Sequence, residues 1–545
     1  MNDLSKLFLN VSDGDTVTLN ENGVYSISPE DSFVLENLFF SNTANQSENP
    51  NGTRFCGIYL ENKNNITIDG NGAVILIHGI MTPFIFKKCR NVMLKNLTFD
   101  HYRPTMSEMT VILSQPGRAV VRINDEYIYK IKDNDLIWQS ENKNNGEKYW
   151  EIKYKGPGVL TNSYNLETGI IDDMIAGKND SWGGFPDIEK ITQLQKGVLK
   201  LEFKDKDKKI PVNTVAQTRS IKRLQTGGAI DECENIVLEN LRIMSMNGFG
   251  ILAQNSKDLT YINLDCTPKQ GRTIVSDADF FHFSGCSGTV NVIGCKAKGA
   301  HDDIINIHGT HLKIISLDSE NNSVLLRYSH AESWGFNPYY PGDEIEFVSG
   351  NCLTSYHKTT VKSLKKINNT DFLVFLNSLP EKEPKDNDVI ENVTRTAALN
   401  VFNNQFSCIP SRAVLCTTRK DVHIENNLFM NMGAPVLCVA DDANFWFESG
   451  KSGRIYFENN IVINCSVREE NSGSDVIRYE PVVMDKEFNQ PVHNFLSVKN
   501  NKFYNYFSDR YTINLNYLNE AEIKNNYSNV SLVTKKGKGC VKVSV

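Results

Sequence analysis

A chain of 545 residues, 40% hydrophobic and 23% charged, is too long for one ordinary compact domain and has the balance of a folded globular protein. Its net charge of −7 argues against nucleic acid or an anionic membrane surface as the main partner and leaves a neutral or cationic small molecule. No apolar run approaches bilayer length, so no membrane insertion is expected.

The opening segment, "MNDLSKLFLNVSDGDTVTLNENG", lacks a basic stretch followed by an apolar one and reads as structured protein. The expected location is the cytoplasm as the sequence stands, or a secreted or periplasmic one if a leader was removed. Twelve scattered cysteines without a CxxC pair fit reduced, buried thiols.

An asparagine-rich turn followed by a short alternating strand then recurs. It appears in residues 1–106 as "NNITIDGNG" (64–72) and "RNVMLKNLTF" (90–99). Residues 107–222 break the pattern with longer alternating strands, "GRAVVRINDEYIYKIKDND" (117–135) and "GVLKLEFKDKDKK" (197–209). The phrase returns in 223–310 as "ENIVLENLRI" (234–243) and "KDLTYINLDC" (257–266). Residues 311–394 break it again with "SVLLRYSHAESWGFNPYYPGDEIEFVSG" (323–350). In 395–545 it resumes as "KDVHIENNLF" (420–429), "GRIYFENNIV" (453–462) and "NFLSVKNNKF" (494–503).

Asn240 to Asn263 is 23 residues, Asn426 to Asn459 is 33 and Asn500 to Asn525 is 25. Short strands at that period imply stacked coils. The expected fold is all-β: a right-handed parallel β-helix with two inserted β-rich, barrel-like modules, its turn asparagines stacked as ladders.

In such a solenoid, residues one coil apart lie about 4.8 Å apart. Asp279, in "VSDADFFHFSG" (275–285), precedes Asp302, in "AHDDIINIHG" (300–309), by 23 residues. Asp279 is therefore expected beneath the Asp302–Asp303 pair. Convergent carboxylates suit glycosidic hydrolysis: one, its pKa raised by its neighbours, donates a proton, and another activates water. A separation of about 6.5–9.5 Å between acid and base would let water attack with inversion.

Substrate-binding candidates are Asp277, His301, His308, Glu332, Trp334, Arg412, Trp446 and Glu448, with Trp334 read as a sugar-stacking ring or a core aromatic of the second module. His282, in an aromatic strand, reads as packed, and Asp441-Asp442 taken alone as a solvated turn. A metal held by Asp277, Asp279, His301 and Asp302 is the alternative chemistry. The absence of an HxH or HExxH pair argues against it, and no metal or cofactor is expected.

With "SDADFFHF" and "AHDDIINIHGTH" one coil apart and β-rich modules on either side, the chain resembles glycoside hydrolase family 110. The resemblance implies an inverting, metal-independent exo-α-galactosidase acting on terminal α-1,3-linked galactose, including that of blood group B-type glycans. Carried over, Asp302 matches the general acid, and Asp279 and Asp303 the pair that holds and activates water. The expected partner is a galactose-terminated oligosaccharide or glycoconjugate, and homo-oligomer formation is left open. Polygalacturonases share an Asp…Asp-Asp arrangement, but the chain lacks their Gly-His-Gly and Arg-Ile-Lys motifs. The remaining alternatives are a lyase or hydrolase on another polysaccharide, and a non-catalytic glycan-binding solenoid.

Overall fold

The structure is a computed structural model describing residues 2–172, 185, 187–467 and 474–545. The chain is a parallel β-helix. Successive coils add strands to long parallel ladders, and two antiparallel modules branch from its side.

Alternation builds the core. On one face, Ile66 pairs with Val92, then Ile236, Leu259, Val290, Leu399, Val422, Ile455, Leu496 and Ala521 in register. Each of these is buried in one continuous apolar cluster that runs the length of the solenoid. A coil cannot bury its apolar face alone, so stacking supplies the stability. Both insertions interrupt the sequence and leave the stack intact. Leu94 pairs with Leu238 across the first, and Val290 with Leu399 across the second.

The asparagines do two jobs. Asn240, Asn263, Asn426, Asn459, Asn500 and Asn525 have φ between 52° and 60°, the left-handed region that bends each coil and that Asn tolerates better than most residues. In the C-terminal coils a second asparagine follows and forms the expected ladder. Asn404 Nδ2 donates to Asn427 Oδ1 at 2.9 Å, Asn427 to Asn460 at 3.0 Å, Asn460 to Asn501 at 3.1 Å and Asn501 to Asn526 at 3.0 Å. Asn460 is fully buried and also donates to Ile424 O. Asn460→Ala removes the acceptor of the Asn427 backbone N–H and a donor to Ile424 O. It is expected to cost about 2 kcal/mol, read as a lower urea midpoint.

Among the described residues the first module is a seven-stranded antiparallel sheet with a three-stranded sheet beside it, around a core including Trp138, Leu199, Leu201 and Phe203. The second closes as a six-stranded barrel running from Leu312–Asp318 to Val389–Asn392, filled by Val324, Phe347 and Phe372. All twelve cysteines are free thiols.

One parallel ladder positions the acidic residues. Its strands Phe281–Ser284, Ile305–Thr310, Val414–Cys416, Leu437–Val439 and Asp475–Tyr479 pair in turn, with Phe281 opposite Ile305 and Ile305 opposite Val414. Asp279, Asp303 and Arg412 each stand two residues before one of these partners, so all three enter the ladder at the same phase. The local coil is 24 residues (Phe281 to Ile305), not 23, so Asp279 lies under Asp303 and Asp302 is the residue displaced outward.

Candidate active site

Close backbone packing lets the site form. A Cβ on Gly250 would sit 2.0 Å from Asp279 O, so the coil beneath the Asp279 turn must carry glycine there. Gly299 has φ +79° and faces Thr273 O, which starts the turn that delivers Asp302 and Asp303.

Asp279, Asp302 and Asp303 each bring an oxygen into a cluster in which these atoms lie within 4.8 Å of one another. They form the floor of a cavity of about 300 Å³, within the usual size of small-ligand sites. Asn42, Arg223, Asn306, Arg412, Trp446 and Glu448 also line it. Asp302 has the open side chain of the three, 30% exposed, against 6% for Asp279 and 1% for Asp303.

Two guanidinium groups frame the trio. Arg412 grips Asp303 bidentately, Nε to Oδ1 at 2.8 Å and Nη2 to Oδ2 at 2.8 Å, and Ser411 Oγ donates to Oδ1 at 2.7 Å. Arg223 donates to Asp302 Oδ2 at 3.3 Å and to Glu332 Oε2 at 3.3 Å. Burial and then the charge of Asp302 push Asp279 up to about 8. Burial also pushes Asp303 up to about 7, with Asp302 and Asp279 adding to it, despite Arg412. The trio therefore retains a proton near neutrality, which belongs to the cluster as much as to either residue.

A polar wall faces the carboxylates. Asn42 Nδ2 donates to Glu448 Oε1 at 2.8 Å. Burial raises the Glu448 carboxyl, but the polar groups around it, among them the Asn42 amide and Arg412, outweigh it and hold the group below its ordinary value. Asn42 Oδ1 and Asn306 Oδ1 are buried on this wall, and neither accepts a hydrogen bond among the described residues. Buried acceptors of that kind mark where a hydroxyl-rich ligand would donate.

Of the sequence candidates, Arg412, Trp446 and Glu448 line the cavity with the three aspartates. Glu332 reaches the site through Arg223. Four others lie off the cavity lining. Asp277 is buried and accepts from Gly248 N at 2.8 Å. His301 is buried between Arg219 Nε at 3.1 Å and Gln217 Oε1 at 2.9 Å, so its ring nitrogens are both engaged. His308 sits behind the wall, 2.9 Å from His282. Trp334 is 4% exposed, tilts against Phe39 and donates Nε1–H to Ala44 O at 3.0 Å. It pins the barrel to the N-terminal coils and offers no face to a sugar.

Asp441 and Asp442 are buried, not a solvated turn: Asp441 bonds His311 at 3.0 Å, and Asp442 caps the loop carrying Trp446. His282 is packed as expected, yet its Nδ1 lies 2.8 Å from Asp279 Oδ2. Arg223, Asn42 and Asn306 have no signal in the repeat. Arg223 stands where the first inserted module rejoins the coils, and that return point borders the cavity.

A family profile described as "GLAA-B beta-barrel domain II" matches residues 323–390. Alpha-1,3-galactosidase A of Bacteroides thetaiotaomicron is 32% identical over 487 residues, 88% of this chain and 80% of the relative. Alpha-1,3-galactosidase A of Akkermansia muciniphila is 30% identical, covering 84% and 73%. Alpha-1,3-galactosidase B of B. thetaiotaomicron is 28% identical, covering 83% and 72%. Among solved structures, an exopolygalacturonase from Thermotoga maritima aligns over 97% of this chain and 84% of its own at TM-score 0.40 and 11% identity.

Proposed function

The chain belongs to the α-1,3-galactosidase family, glycoside hydrolase family 110, and from that premise we propose that it removes terminal α-1,3-linked galactose by single displacement with inversion. The observation that carries the reading is the carboxylate trio on the floor of a small polar cavity with two unsatisfied amide oxygens. Asp302, the open carboxyl, donates a proton to the glycosidic oxygen. Asp279 and Asp303 hold the attacking water between them. The barrel supports an exo action by closing one side: its Glu332 pairs with Arg223, and its His330 ring lies 4.3 Å from Trp446. Blood group B-type glycans end in the linkage the site would cleave.

One observation favours a second reading. Carboxyl groups about 5–5.5 Å apart are typical of retaining glycosidases, and the trio's nearest oxygens lie within 4.8 Å. Inversion is preferred because Asp303 is locked by Arg412 and Asp279 is bound to His282, so neither is free to swing onto the anomeric carbon. A water bridging two oxygens at that spacing keeps hydrogen bonds to both.

The substrate test is a panel of digalactosides. Galactose release from the α-1,3 isomer, with α-1,4 and α-1,6 isomers at least tenfold slower, supports the reading; no release from any of them removes it. Trp446, 46% exposed, is positioned to stack on the sugar that leaves. Trp446→Ala is expected to raise KM about tenfold with kcat within threefold. Activity requires the trio's resident proton, so kcat/KM should fall on the basic side as pH rises through about 8, the value for Asp279.

A further inference from the structure

Behind Asp279 runs a line of hydrogen bonds that the proposed reaction does not use. Asp279 Oδ2 is 2.8 Å from His282 Nδ1, His282 Nε2 is 2.9 Å from His308 Nε2, and His308 Nδ1 is 2.6 Å from Gly309 O. All three side chains are buried. The far end of the line fixes one proton. A carbonyl oxygen only accepts, so His308 must carry its proton on Nδ1. With both buried rings neutral, His308 has a bare Nε2, and His282 must donate to it from its own Nε2. That leaves His282 Nδ1 bare and facing Asp279, where only a protonated carboxyl completes the bond.

We infer that His282 and His308 form a tautomer lock, anchored on Gly309 O, that selects the protonated form of Asp279. They act as positioning residues behind the carboxylate trio and touch no substrate. The same proton count would also allow ionised Asp279 against a charged His282, or against His282 protonated at Nδ1 with a charged His308 beside it. Burial of both rings opposes these charged forms and holds His282 well below its usual titration range. The other charged groups facing Asp279 and His282 are Asp302, Arg223, Arg412 and Glu448; Glu448 Oε1 is 3.7 Å from His308 Nε2.

The consequence for catalysis rests on the galactosidase reading. In the reaction the resident proton first passes from Asp279 to Asp302, which gives it to the glycosidic oxygen as the C–O bond breaks; as water attacks the anomeric carbon, its O–H bond breaks and its proton returns to Asp279. The new carboxyl O–H immediately finds His282 Nδ1 as acceptor. A hydrogen bond available to the neutral acid and denied to the anion raises proton affinity, so the lock makes Asp279 a stronger base.

Side-chain ¹⁵N NMR of the full chain with labelled histidine tests the lock without any substrate. His282→Asn and His308→Asn assign the two rings. Near pH 7 the expected result is His308 protonated at Nδ1 and His282 protonated at Nε2. A His282 protonated at Nδ1, or at both nitrogens, overturns the inference. The kinetic counterpart uses His308→Asn, whose amide can still donate to Gly309 O but leaves His282 free to take either tautomer. The basic limb of its kcat/KM profile should move down by about one pH unit, with KM within twofold. A merely structural role would lower thermal stability and leave that limb in place, and an unmoved limb also overturns the inference. If the wild-type chain releases no galactose, the galactosidase reading fails, while the NMR result still decides the lock.

Discussion

Asp302→Asn lowers kcat/KM for an α-1,3-linked digalactoside by about 10³-fold, because the leaving sugar departs as a poor alkoxide without a proton. The fold survives the change. The Asp302 side chain is partly exposed, and its neighbour Arg223 keeps Glu332 and Asn42 O as acceptors. The loss should shrink to about tenfold or less on an aryl galactoside, whose leaving group departs unaided. Asp279→Asn and Asp303→Asn act on water instead, so their losses should be equal on both substrates. If Asp279→Asn shows the leaving-group dependence and Asp302→Asn does not, the acid and base assignments are exchanged.

At pH 8, where wild-type Asp303 is ionised, Arg412→Met destabilises the chain by about 3 kcal/mol, the usual cost of removing one partner from a buried charge pair. Asp303 is the group left behind. Its side chain is 1% exposed, and it loses two hydrogen bonds of 2.8 Å while keeping Ser411 Oγ and the Arg412 amide. The sign with pH follows from the raised carboxyl. Asp303 already stands above its ordinary value with Arg412 present and must stand higher without it. A carboxyl whose folded pKa lies above its unfolded one loses stability as pH rises between the two values. Wild type and variant lose that stability alike up to about pH 7, where wild-type Asp303 ionises and the variant's does not, so the deficit opens above about pH 7, read from urea midpoints at pH 5 and pH 8. Arg412→Lys restores only part of it, since an ammonium cannot make the two-point contact. Equal stability of wild type and Arg412→Met at both pH values would show that Asp303 does not depend on the pair.

Much of this was legible in the sequence for a physical reason. Stacked coils force period-2 apolar residues and left-handed asparagines to recur, so the solenoid, its Asn ladder and the convergence of Asp279 with Asp302 and Asp303 could be read from spacing. The register could not. The local coil is one residue longer than the one that supplied the yardstick, and this set Asp303, not Asp302, over Asp279. Side-chain roles near the site were harder still. His301 and Trp334 have the chemistry of sugar contacts, but Arg219 and Gln217 occupy the first and Phe39 the second. Those partners come from segments up to 295 residues away in sequence (Phe39 to Trp334), which no local pattern encodes. Arg223 and Asn42 reach the cavity for the same reason, through tertiary folding of an insertion's end and an N-terminal loop.

The anomer released first tests the central claim most directly. Hydrolysis of an α-1,3-linked digalactoside followed by ¹H NMR, faster than mutarotation, should show β-galactose accumulating before the α form, as attack by water held between Asp279 and Asp303 requires. Initial release of α-galactose would contradict that account and give one carboxylate of the trio the role of covalent nucleophile.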